Sequence, residues 1–149
     1  MKLLEILDTI KTVTDGHPNI KESTICTMED LITDVSEKKN KYVGAFIVYD
    51  INNVPIGEYS VTVPISIIFA DKLRTNDGNK AFIHSNTLSI SIDIVSLLRI
   101  KIKQIGADGL NDCVADIWTE QFADSLLAGT KLDFTIQTDL GGFCDILNF

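Results

Sequence analysis

Between Glu58 and Asp71 the chain reads EYSVTVPISIIFAD. Tyr59, Val61, Val63, Ile65, Ile67 and Phe69 are large and apolar at every second position, with Glu58, Ser60, Thr62, Pro64 and Ser66 between them. A side-chain period of two marks a β-strand with one face on a core. At roughly 3.3 Å per residue such a strand runs about 45 Å, longer than most. It is expected to be the central strand and to outrun its sheet, which makes Tyr59, Val61, Val63 and Ile65 candidate interaction residues on a projecting arm. Pro64 cannot donate to a ladder and marks an edge or a bulge.

Toward the N-terminus, Leu3, Leu4, Ile6, Leu7, Ile10 and Val13 recur at steps of three and four, with Glu5, Asp8, Thr9 and Lys11 on the other side. This predicts an amphipathic helix of about four turns, stopped by Asp15-Gly16 and followed by His17-Pro18. Its two acids and the lack of a small-residue cleavage site read as folded protein, not as a signal peptide. His17 is expected to be solvated. Ser23 to Thr27 is a short β-prone run, and 28–40 is a polar connection with a helical turn at 28–32. Tyr42 to Tyr49 is nearly continuously apolar, which suits a strand covered on both faces. Asp50 to Gly57 supplies turn residues, so this strand and the long one form an antiparallel pair.

Asp71 to Ser85 is polar, contains the turn sequence Thr75-Asn76-Asp77-Gly78-Asn79 and is read as a loop ending near His84. It lacks the spaced carboxylates of a calcium loop. Asn86 to Ile105 fits two templates. Leu88, Ile90, Ile92 and Ile94 alternate as in a strand, while Ile92, Val95, Leu98, Ile102 and Ile105 recur as in a helix. Its length, Asn86 and Thr87 as caps, the late Arg99, Lys101 and Lys103, and Gly106 beyond them decide for helix. Cys113 to Phe122 reads as a strand carrying Trp118, 123–129 as a connection, and Lys131 to Thr138 as a strand with Leu132, Phe134 and Ile136 on its buried face. Leu140-Gly141-Gly142 breaks that strand, and an apolar segment ending in Phe149 follows. Such a terminus is tied to its own core or to a neighbouring chain, so Phe143 and Phe149 join Trp118 as candidate interaction residues. With no repeat or linker, the order predicts one α+β domain over residues 1–149. Its sheet is mostly antiparallel, with the N-terminal helix and the long central helix packed on one face.

The charge is unevenly placed. Residues 1–103 hold 13 acidic and 12 basic side chains, whereas 104–149 hold eight acidic and one basic, so the C-terminal third supplies nearly all of the net charge of −8. A nucleic-acid binder carries the opposite sign, so direct nucleic-acid binding is not expected. Asp133, Asp139 and Asp145 are candidates for an acidic face that steers toward a basic partner. A composition 45% hydrophobic and 23% charged is that of a globular protein. No apolar run approaches the roughly eighteen residues that span a bilayer, and no membrane partner is expected.

Catalytic chemistry is not written in the chain. There is no Walker loop, no GxGxxG and no GxSxG. Cys26, Cys113 and Cys144 have no CxxC spacing and fit reduced structural thiols. With His17 and His84 they form no zinc pattern. No catalytic, cofactor-binding or metal-ligating residue is expected, and the chain is expected not to be an enzyme.

The second half carries a further arrangement. A long helix, TLSISIDIVSLLRIKIKQIG, leads to a strand ending in WTEQF, then to ADSLLAGTKLDFTIQ and the terminal FCDI, after an initial MKLLEILDTIK and the strand VTVPISIIFADK. This resembles a family of small, largely uncharacterised phage and prophage proteins grouped with tail-assembly components, of tail-terminator or tail-completion type. The family pattern places an aromatic residue after the Leu-Ala-Gly turn, where this chain has Thr130 and Lys131. The resemblance implies a structural role: rings of subunits that cap the tail tube and join it to the head. It also implies self-association, tail-tube and head-completion partners, and a location in the host cytoplasm during assembly and in the virion tail afterwards. An acidic C-terminal third suits a channel that DNA crosses without sticking. A non-enzymatic adaptor that uses a sheet edge and the acidic face is the alternative.

Overall fold

The computed structural model describes residues 3–31, 43–73, 79–122 and 125–139, with side chains at 120–122, 125 and 126 outside the description. Helix α1 (Leu3–Asp15) buries Ile6, Leu7, Ile10 and Val13, the stripe set by their spacing. Its threonines are satisfied within the helix: Thr9 and Thr12 donate to the carbonyls of Glu5 and Asp8 at 2.8 Å. Strands β1 (Glu22–Cys26), β2 (Gly44–Val48) and β3 (Ser60–Lys72) follow, then α2 (Lys80–Gln104), β4 (Gly109–Phe122) and β5 (Ser125–Asp139). The sheet order is β1-β2-β3-β5-β4. β1 runs parallel to β2, and all other pairs are antiparallel. The class is α+β, as the patterning predicts.

β3 is the spine of the sheet. It pairs with β5 along its whole length, Ser60 opposite Asp139 through Lys72 opposite Leu127. Its odd residues face the helices and form the core with Ile6, Ile10, Ile90, Ile94, Leu98, Phe134 and Ile136. That corrects the expectation of a projecting arm: Val61, Val63 and Ile65 are 2%, 0% and 1% exposed and are sealed inside the chain's own core. The strand does outrun its other neighbour, because β2 covers only Ser66 to Ala70. Beyond it the described pairing on that side is the Ile56–Val61 bridge, with Thr62 N–H donating to Pro55 O at 3.0 Å. Since Thr62 points its N–H away from β5, the two-residue alternation points the Pro64 nitrogen the same way. It lies beyond the end of β2, where a missing donor removes no ladder bond.

α2 begins at Lys80, six residues before the cap that the sequence suggested. Thr87 is therefore inside the helix, where its hydroxyl donates to Ile83 O at 2.8 Å. The C-terminal end follows the pattern: Gly106 adopts φ 95°, Ala107 N–H reaches Ile102 O and Gly106 N–H reaches Lys103 O, both at 3.1 Å. These two bonds form a Schellman cap that needs a left-handed residue at Gly106. The stretch read as a connection at 123–129 is largely strand, because β5 starts at Ser125. His17 is buried, not solvated. Its Nδ1 accepts the N–H of Asn19 at 3.1 Å, so Nε2 carries the proton that faces Asp93 Oδ2 at 3.0 Å and ties the end of α1 to α2.

The face away from the helices has a smaller apolar cluster of Cys26, Leu31, Phe46, Val48, Ala70 and Leu127, against which Ile68 and Trp118 pack. β2 is thus covered on both faces, as its unbroken apolar run predicts.

Candidate interaction surface

β4 ends the strand order, so among the described residues no strand pairs with its outer edge. A long open edge invites another chain, and proteins usually guard one with charge, proline or a bulge. Here a bulge stands at one end, where the register shifts between Asn111 and Val114 and Asp112 takes φ 55°, and Asp116 places one charge within the stretch beyond it. From Val114 to Thr119 the pairing with β5 is regular and the edge carries large apolar side chains. Val114 lies opposite Asp133 and projects from the face away from the helices. Ile117 lies opposite Thr130, whose hydroxyl meets Thr87 of α2 at 2.8 Å, so Ile117 projects from the helix face. The two are 53% and 55% exposed.

α2 lies above this edge and is more apolar than its buried stripe requires. It is long and apolar enough to cross a membrane by length and composition, contrary to the expectation from apolar runs, yet a third of its most apolar window is buried inside the protein. Ile83, Ile90, Ile94, Leu98 and Ile102 face inward, while Phe82, Ile92, Leu97 and Ile100 remain exposed. Between α2 and β4 an open groove of about 220 Å³ is lined by Ile92, Val95, Arg99, Cys113, Ala115 and Leu132.

Two polar contacts hold helix and edge in this relation. The Thr87–Thr130 hydroxyl pair is fully buried and joins α2 to β5. His84 Nε2 lies 3.0 Å from Trp118 O and 3.2 Å from Thr119 Oγ1, which ties the first turns of α2 to β4. The reading of 71–85 as a loop hid this role of His84.

The acidic candidates separate. Asp133 and Asp139 share the helix-free face of β5, about 20 Å apart at six strand residues. Asp133 accepts the Ser66 hydroxyl and lies 3.8 Å from Lys131 Nζ. Asp116, opposite Lys131, is on the same face, and the Asp112 carboxylate lies 3.5 Å from the Thr135 hydroxyl. Asp145, Phe143 and Phe149 lie outside the described residues. Tyr59 immediately precedes β3 and is 77% exposed, and Trp118 is half-buried against the smaller cluster. Sequence reasoning missed Val114, Ile117 and Ile92. The first two are three residues apart on opposite faces of a strand that starts with a bulge, so neither template of apolar repetition selects them.

Among the described residues no group of three or more His, Cys, Asp or Glu side chains could hold a metal ion. Comparison with known proteins gives no match to a family model and none to a curated protein.

Proposed function

We propose that this chain is a structural assembly protein of a phage or prophage tail, of tail-terminator or completion type, which acts through subunit–subunit contacts and catalyses no reaction. The observation that carries this reading is the flank formed by β4 and α2, a sheet edge left unpaired among the described residues, with Val114 and Ile117 exposed on its two faces and Ile92 beside it. Apolar side chains on an unpaired edge are where a partner gains burial, at about 25 cal/mol per Å² of surface removed from water. The family resemblance supports the same role, since rings are built from head-to-tail contacts between unlike surfaces of identical subunits. On this reading the partners are further copies of the chain and tail-tube and head-completion proteins, and no cofactor takes part. The site of action is the host cytoplasm and then the virion tail. The acids on the helix-free face fit a channel wall that DNA crosses without adhering.

Light scattering across concentration, with electron microscopy of the heaviest species, tests the reading. Closed rings are the expected result, and a chain that stays monomeric at every concentration counts against it. A gene position beside tail-tube and tape-measure genes is an independent check. The acidic face favours one second reading, an adaptor for a basic protein. That reading predicts a monomer whose binding weakens steeply as salt rises.

A further inference from the structure

We propose that the groove between α2 and β4 receives residues 143–149 of a second copy of this chain, which add a strand to the edge of β4 that no strand of the described residues pairs with. This rests on the assembly reading and names the contact that builds the assembly. The exposed edge is two-sided: Val114 projects from one face of β4 and Ile117 from the other, each more than half exposed. A helix or a flat surface laid on one face buries only one of them. A strand paired to the edge flanks both, because its own side chains alternate across the same two faces. The groove supplies the apolar bed on the helix side, with Ile92, Val95, Cys113, Ala115 and Leu132 lining it and Arg99 among them.

The segment matches that bed. FCDILNF is apolar at both parities, with Phe143, Leu147 and Phe149 on one and Cys144 and Ile146 on the other. Its one charged side chain, Asp145, is opposite in sign to Arg99. Where the segment departs from β5 argues for a second copy over the same one. β5 ends at Asp139, and the connection from α2 into β4 lies between it and the free edge, with Asp108 N–H donating to Gln137 O at 2.9 Å. To reach that edge in its own chain the segment must cross two strand spacings, about 10 Å, and then reverse. From Asp139 to Phe143 the chain has four Cα steps, at most about 14 Å fully extended, which leaves only about 4 Å to clear that connection and turn back. A neighbour's segment has no such limit, and a tail passed from one copy to the next is a head-to-tail contact that closes into rings.

The native cysteines provide the test. Cys113 lines the groove, Cys144 lies in the segment, and Cys26 is buried at 5% exposure. The full-length chain is treated with a short bismaleimide at concentrations spanning those used for light scattering. A ladder of covalent multimers is expected, reduced at least tenfold in Cys113→Ser and in Cys144→Ser and retained in Cys26→Ser. A ladder that survives either of the first two, a link confined to monomers, or oligomers with no link overturns the groove assignment and leaves the assembly reading standing. A chain that never leaves the monomer overturns both. Ile92→Asp, at an exposed position, is expected to keep the circular dichroism spectrum and melting temperature while raising the concentration for half-assembly at least tenfold. Unchanged assembly rejects the groove as the docking site.

Discussion

Gly129→Ala tests the packing that places β4 beside β5 and β3. Gly129 sits opposite Ala70 on one side and Trp118 on the other. A Cβ built there collides with the Phe69 carbonyl oxygen and comes 3.2 Å from Cζ2 of Trp118. The Trp118 ring can turn aside, but the carbonyl belongs to the central strand. Since carbon and carbonyl oxygen approach to about 3.3 Å at closest, β3 and β5 must part locally by more than about 1 Å. Forced overpacking costs about 1–3 kcal/mol, and each ladder bond lost beside it adds about 1 kcal/mol. With one such bond lost the sum is about 2–4 kcal/mol, which for a chain of this size lowers the melting temperature by about 10 °C. Urea and thermal unfolding followed by circular dichroism measure it. Gly109→Ala is the control, because a Cβ at Gly109 meets nothing within 4 Å, and it is expected to be neutral or to stabilise by about 0.5 kcal/mol through the unfolded chain. A loss below about 1 kcal/mol for Gly129→Ala, or equal effects of the two substitutions, would refute the reasoning.

Thr87→Val leaves the buried Thr130 hydroxyl without its partner and is expected to cost about 2 kcal/mol in urea unfolding, with Thr87→Val/Thr130→Val recovering at least half. His17→Ala removes the acceptor of Asn19 N–H and the tie to α2, a loss of about 2 kcal/mol. Asp93→Ala, at a side chain 60% exposed, is expected to cost at most about 1 kcal/mol. Val114→Thr is expected to leave monomer stability within about 0.5 kcal/mol and to weaken self-association in light scattering. Charge reversal of Asp133 and Asp139 together is expected to hinder DNA passage without blocking assembly, and unchanged infectivity counts against an acidic channel wall.

The alternation from Val61 to Phe69 was legible because β3 keeps that face on the core, whereas Tyr59, which shares the pattern, precedes the strand and is exposed. The end of α2 was legible because Gly106 is the left-handed residue its cap needs. Its start was not. The Asn79 side chain makes no capping bond, whereas Asn86 and Thr87 carry the residue types of a cap and lie inside the helix. What covers the long strand was hidden for a related reason. Alternation tells which residues share a face but not what covers that face, so Val61, Val63 and Ile65 suited an arm and a core equally until β5 and the helices were in place. His17 followed a helix-stop signal that usually leads to solvent, and only Asp93, seventy-six residues later, explains its burial.

Amide hydrogen exchange along β4, followed across protein concentration, tests most directly whether this edge is the working surface. Amides of 114–119 that point outward are expected to exchange fast in dilute solution and at least tenfold more slowly once oligomers form, with those of β5 unchanged. Exchange at 114–119 that is the same in monomer and oligomer would contradict it.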